Sequence, residues 1–267
     1  MGTSAARIAS SPLVTAVVLG GGEPGDRMAS QAGVEAKALV ALDGKPMGAY
    51  VLEALRACPE VGRIVYVGPT NVRLRGLYDV AVPSGQRLVD SMALGLGAAL
   101  GGAPAARLLV LTADIPWITG PGLSAFIAAA PDADLVYPAV TEAASVARFP
   151  HQQRTYVRLH DGRLTGGNAV LLAAEAVPRL LPLMDRAFRA RKNPLALARM
   201  FGADVLVSVL LGRARIASLE GRLERMSGIR ARALVTDDAA LAADVDRVAH
   251  LPEGLSEGRP GLPGAEA

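Results

Sequence analysis

Leu108-Leu109-Val110-Leu111-Thr112-Ala113-Asp114-Ile115-Pro116 places four apolar residues in unbroken succession and then ends on a carboxylate. An uninterrupted apolar run of this length, without polar alternation, is the pattern of a strand covered on both faces. Strands of that kind belong to parallel sheets, which need crossover helices on either side. The run belongs to a strand expected at Arg107–Thr112, and outward from it further short apolar runs at Val14–Leu19, Arg63–Val67, Tyr78–Val82 and Asp134–Val140 read as strands. Longer helical patterns at Met47–Ala57, Gln86–Leu100 and Gly122–Ala130 lie between them. Strand–helix alternation implies an α/β chain with a Rossmann-like, doubly wound, mostly parallel sheet.

After residue 140 the rhythm changes. Tyr156–Leu159 and Ala169–Leu172 read as a strand pair around an Asp161-Gly162 turn. Residues 174–228 are almost wholly helical in pattern, broken by Pro182, Pro194 and Gly212, and a last strand at Arg232–Val235 leads to a closing helix. The expected organisation is a leader at 1–12, one domain over 13–251 with a helical insertion at about 174–228, and a Pro/Gly-rich disordered tail at 252–267.

With 267 residues, 51% hydrophobic, the chain has ample material for a core. Its 28 Lys and Arg against 25 Asp and Glu leave a surplus of three with no concentrated stripe, which excludes nucleic acid as the expected partner. The single cysteine, Cys58, excludes a disulfide framework and a cysteine metal site. The apolar run Leu13–Leu19 is too short to span a bilayer. A cytoplasmic location is expected, with no membrane partner. His151 and His160 have no Asp and Ser partners at recognisable spacing, so a hydrolase triad is unsupported.

The first strand runs into Leu19-Gly20-Gly21-Gly22-Glu23-Pro24-Gly25-Asp26-Arg27-Met28. Glycines after a first strand let backbone N–H groups approach a phosphate without Cβ clashes. No Gly-Lys-Ser/Thr closes the loop as in a P-loop. The polar stretch 23–36 also separates it from the helix that a dinucleotide fingerprint would require. Only three of the 28 cations are lysines, and two of them flank Lys37-Ala-Leu-Val-Ala-Leu-Asp-Gly-Lys45-Pro46-Met47. A compact ammonium beside phosphates is one reason to keep lysine in an arginine-rich chain. By itself, Asp114 reads equally as a helix cap or as a ligand for a hard cation.

Together these residues resemble the signature of nucleotidyltransferases that activate sugar phosphates or cofactor precursors. The closest branch is that of the molybdenum-cofactor guanylyl- and cytidylyltransferases (MobA-like NTP transferases). The elements are Leu-Gly-Gly-Gly with Arg27-Met28, Lys37, and Gly44-Lys45-Pro46-Met47 eight residues beyond it. The resemblance runs from Val14 to about Leu251 and implies the nucleotide-diphospho-sugar transferase type of fold. It implies that Leu19, Gly20, Gly21, Gly22, Lys37 and Gly85 bind the nucleotide, with Arg27 and the glycine amides on its β- and γ-phosphates. Lys37 offsets charge at the α-phosphate, so Arg27 and Lys37 are the catalytic candidates.

The resemblance further makes Asp114 a ligand for Mg²⁺. Asp246, in the closing Asp244-Val-Asp-Arg-Val-Ala-His250-Leu251 stretch, is the second ligand and Asp244 its support. Thr165, Gly166, Gly167 and Asn168 would line the acceptor side, hydrogen-bonding a sugar or pterin-like group. The implied partners are an NTP, with GTP or CTP favoured, and a small phosphorylated acceptor. Three features depart from the family pattern: the lengthened loop between Gly22 and Lys37, Val248 in place of a frequent proline, and His250 where an acid is common. The alternatives are a sugar-1-phosphate nucleotidylyltransferase and a nucleotide-binding protein without catalysis. A dinucleotide-dependent oxidoreductase ranks below both.

Overall fold

A computed structural model describes residues 14–22, 25–102, 105–190 and 202–246. The expected leader and tail, together with Val248 and His250, lie outside the described residues. In chain order the elements begin with β1 (Val14–Leu19), α1 (Arg27–Gln31), the hairpin strands β2 (Ala41–Leu42) and β3 (Lys45–Pro46), α2 (Met47–Arg56), β4 (Val61–Val67) and β5 (Val80–Val82). They continue with α3 (Leu88–Leu100), β6 (Arg107–Thr112), α4 (Gly120–Ala129), β7 (Leu135–Thr141), α5 (Glu142–Arg148), β8 (Val157–Leu159), β9 (Gly162–Gly166) and β10 (Ala169–Ala173). The last are α6 (Val177–Ala190), α7 (Ala203–Leu210), α8 (Ile216–Ser227) and β11 (Ala231–Thr236).

The main sheet has the order β5-β4-β1-β6-β10-β7-β9-β8, with β11 also on β7. Following the pairings, β9 and β10 run against the other strands of this sheet, so it is mostly parallel. Alternation along the central strands sends side chains into two separate cores. Val14, Ala16 and Val18 of β1 join Leu109 and Leu111 of β6 and the apolar stripe Val51, Leu52 and Leu55 of α2. Val17 and Leu19 join Leu108 and Val110 with Met92 and Leu96 of α3 and Leu180 of α6. Each apolar run is therefore covered by helices on both faces, as continuous hydrophobicity requires. A smaller cluster of Met28, Val40, Leu42, Met47 and Val245 ties α1 and the 37–47 segment to the end of the described chain.

One expectation is corrected. Tyr156–Leu159 does not pair with Ala169–Leu172. β8 instead pairs with β9 across the Asp161-Gly162 turn, where Gly162 has φ 134°, and β10 lies between β6 and β7. Ala169–Leu172 is buried on every residue, which suits a central strand and not a hairpin edge. Along β7, four residues of the β9–β10 strand (167–170) face two (137–138), so the chain bulges at Gly167-Asn168. That bulge sits beside the end of β6, with the Thr112 amide donating to the Asn168 carbonyl at 3.1 Å. The expected closing helix runs into residues that lie outside the described ones. A 3-10 turn at Ala239–Leu241 is followed by an irregular segment through Asp246, pinned where the Val245 amide donates to the Asp114 carbonyl at 2.9 Å.

Candidate active site

The cleft at the C-terminal ends of β1 and β6 is built from three segments that local chemistry holds apart. A strand that must turn at once, with other chain packed against it, needs glycine. A Cβ on Gly20 would overlap the Tyr66 phenol, one on Gly21 would overlap Ser84, and Gly22 has φ 69°. The Gly20 amide is already committed, donating to the Val67 carbonyl at 2.7 Å. An anion at this turn therefore meets Gly21 and Gly22. After the loop, Lys37 opens a 3-10 turn whose Ala38 is buried in the core. At the end of β6, Asp114 projects into the same space, and the closing segment brings Asp244 and Asp246 from the far end of the chain.

These residues line one cleft of about 460 Å³ with Leu19, Asp26, Leu88, Ser91 and Thr112. The Lys37 ammonium lies 2.8 Å from Asp114 Oδ2 and 2.5 Å from Asp246 Oδ1, with its side chain only 12% exposed. Burial by itself lowers the Lys37 pKa, but the charge and hydrogen bond of Asp114, aided by Asp246, outweigh it. The group is held above its ordinary value and stays a cation. Asp244 is pushed up to about 6, first by burial and then by the charges of Asp114 and Asp246, with Arg154 pulling against them.

One carboxylate oxygen from each of Asp114, Asp244 and Asp246 lies within 4.8 Å of the others. Asp114 Oδ1 and Thr112 Oγ1 are buried in this cleft with no hydrogen-bond partner. Three carboxylates at this spacing, together with a buried Asp114 oxygen that lacks a partner, fit a hard divalent cation such as Mg²⁺.

The other sequence candidates are distributed around this centre. Arg27 begins α1, is exposed and is not among the residues lining the cleft, whereas its neighbour Asp26 is. Asp26 also caps α1 by accepting from the Ala29 amide at 2.8 Å. Lys45 pairs with Glu53 and lies over the Tyr50 ring. The Gly85 amide donates to Ser91 Oγ at 3.0 Å, tying the start of α3 to the cleft wall. Asn168 serves as a strut: its amide donates to the Leu241 carbonyl at 2.7 Å and its side chain to the Ala242 carbonyl at 3.2 Å. Gly167 packs against Pro138 and Leu241, Gly166 against Tyr137, and Thr165 is buried behind them.

Sequence reasoning passed over Arg154. Its guanidinium donates to Asp244 Oδ1 at 2.5 Å, to Thr165 Oγ1 at 3.4 Å and to the Gly166 carbonyl at 3.3 Å. One arginine among so many carries no compositional signal, and only the folded chain brings it against Asp244 and the Thr165–Gly166 end of β9.

Residues 16–231 match the family of the MobA-like NTP transferase domain. The chain belongs to this family. It is an enzyme of the nucleotidyltransferase class. A solved hypothetical transferase from Thermus thermophilus is 40% identical with a TM-score of 0.82, covering 89% of this chain and 99% of that one. More distant likenesses show the fold alone. A 4-diphosphocytidyl-2C-methyl-D-erythritol synthase from Anaerococcus prevotii is 10% identical (TM-score 0.51), covering 89% of this chain and 94% of that one. A nucleotidyl transferase from Methanothermobacter thermautotrophicus is 17% identical (TM-score 0.50), covering 88% and 93%. No curated protein matches the chain. Among the described residues no helix is long and apolar enough to cross a membrane.

Proposed function

We propose that this NTP-transferase domain carries a nucleoside monophosphate from an NTP to a small phosphorylated acceptor, with Mg²⁺ as cofactor and pyrophosphate as the second product. The observation that carries the reading is the partly buried Lys37 ammonium set between Asp114 and Asp246 beside the glycine turn. In the reaction, an oxygen of the acceptor phosphate forms a bond to the α-phosphorus. The bond from that phosphorus to the α–β bridging oxygen breaks, and pyrophosphate leaves with its electron pair.

Such a transfer needs positioning and charge neutralisation more than covalent help from the protein. The amides of Gly21 and Gly22 donate to the β- and γ-phosphate oxygens, with Arg27 at the start of α1 as a further cation. Lys37 remains protonated and supplies fixed positive charge where negative charge grows on the α-phosphate. Asp114 and Asp246, supported by Asp244, would hold Mg²⁺, which when bound polarises phosphate oxygens and lowers the charge repelling the incoming one. Thr165 to Asn168 form the acceptor wall. GTP and CTP are favoured as donors by the family resemblance.

The test is thermal unfolding with Mg²⁺ and each of GTP, CTP, ATP and UTP, for the wild type and Asp114→Asn. A nucleotide at 100 times its Kd stabilises by about 2.7 kcal/mol, or about 5–10 °C for a chain of this size. We expect that shift for one nucleotide in the wild type and much less in Asp114→Asn, with pyrophosphate release reduced at least about 100-fold in the variant. No shift with any of the four nucleotides would defeat the proposal.

A further inference from the structure

The segment that brings Asp244 and Asp246 to the cleft has little regular structure of its own, yet a cation site needs its ligands held in place. Its backbone is anchored at several points. Asn168 takes hold of the Leu241 and Ala242 carbonyls, Gln152 Nε2 donates to the Asp244 carbonyl at 3.3 Å, and the Val245 amide meets Asp114. None of these bonds orients the Asp244 carboxylate. Arg154 does so at 2.5 Å, while its other nitrogens reach Thr165 Oγ1 and the Gly166 carbonyl on the β9–β10 strand. The Arg154 side chain is 14% exposed, so a guanidinium that could have been solvated is enclosed against two segments remote in sequence.

We infer that Arg154 is a positioning residue: it locks the Asp244 carboxylate to the Thr165–Gly166 wall and so sets the three-carboxylate site for its cation. A rigid planar fork can satisfy a carboxylate and two further acceptors at once, which a lysine ammonium at the same place cannot. The inference rests on the cation reading of the site given above. Groups that orient metal ligands characteristically change metal affinity by 10–100-fold when removed. Electrostatics alone gives the opposite sign, because deleting a cation next to three carboxylates strengthens the attraction for a divalent ion. The direction of the change therefore separates orientation from charge.

The experiment measures Mn²⁺ binding to the full chain by the loss of free-ion EPR signal, without nucleotide. The proteins are wild type, Arg154→Ala, Arg154→Lys, Asp244→Asn and the Arg154→Ala/Asp244→Asn double variant, each checked for cooperative melting. We expect Arg154→Ala to weaken Mn²⁺ binding at least 10-fold and Arg154→Lys to recover only part of the loss. The double variant should bind no more weakly than Asp244→Asn, because the arginine acts through that carboxylate. Unchanged or tighter binding in a cooperatively melting Arg154→Ala, or additive losses in the double variant, overturns the inference while the cation reading stands. A wild type without saturable Mn²⁺ binding overturns both.

Discussion

Replacing Lys37 by Met tests the charge balance of the site independently of turnover. The ammonium is 12% exposed and contacts Asp114, itself 19% exposed, at 2.8 Å; its other partner, Asp246, is 55% exposed. Two unit charges 4 Å apart attract by about 4 kcal/mol at an effective dielectric of 20, and the Asp114 contact is shorter. The exposed Asp246 contact adds at most about 1 kcal/mol. Against these stands the cost of taking the ammonium out of water. Met nearly fills the same volume, so the loss is one of charge and not of packing. Removing one partner of a buried pair costs about 3–5 kcal/mol, and partial exposure of the carboxylates places this case at about 3 kcal/mol. At roughly 2–4 °C per kcal/mol for a chain of this length, Lys37→Met should melt about 6–12 °C below wild type in EDTA. Because a divalent cation then meets carboxylates no longer neutralised by the ammonium, millimolar Mg²⁺ should raise the variant's melting temperature more than the wild type's. Differential scanning fluorimetry in EDTA and in Mg²⁺ reads both quantities. A variant that melts with the wild type in EDTA and gains nothing extra from Mg²⁺ would refute the reasoning.

The glycine turn and the buried thiol yield further expectations. Gly20→Ala places a methyl against Tyr66, which is fully buried, stacked on Tyr78 and bonded to the Pro69 carbonyl, so the ring has nowhere to move. Urea unfolding should show a loss of about 1–3 kcal/mol, and an unchanged midpoint would mean that the turn is loosely packed. Cys58 is 1% exposed, and burial pushes its thiol above the ordinary range. The thiolate is the reactive form, and its fraction falls when the pKa rises. Ellman's reagent at pH 8 should thus leave the native protein unlabelled and titrate one thiol after denaturation; prompt native labelling would contradict the burial.

The sheet was legible wherever a segment's own composition forced its environment. Arg107–Thr112 and Val14–Leu19 are continuous in hydrophobicity and can be stable only with both faces covered, and their observed bounds coincide with the expected ones. The pairing of β10 was not legible. Period-two patterning says that a segment is a strand but not which neighbour it joins, and a nearby turn signal at Asp161-Gly162 suggested a local partner where the chain uses two distant ones. Likewise an Asp before an apolar run reads equally as a cap or as a ligand, and only the folded chain sets Asp244 beside Asp114 and Asp246.

From sequence alone come the alternation of elements, the glycine turn that only residues without a Cβ can make, and the scarcity of lysine that singles out Lys37. Those are properties of single residues or of neighbours a few positions apart, and local sterics and patterning express them directly. What required the folded chain is the meeting of residues far apart in sequence: Lys37 with Asp246, Arg154 with Asp244, and Asn168 beneath the closing segment. No local rule records such contacts, because each is set by sheet order and by the bulge at Gly167-Asn168. The carboxylates that keep Lys37 charged against its burial, and the burial that raises Asp244, come together only when the three segments close on one another.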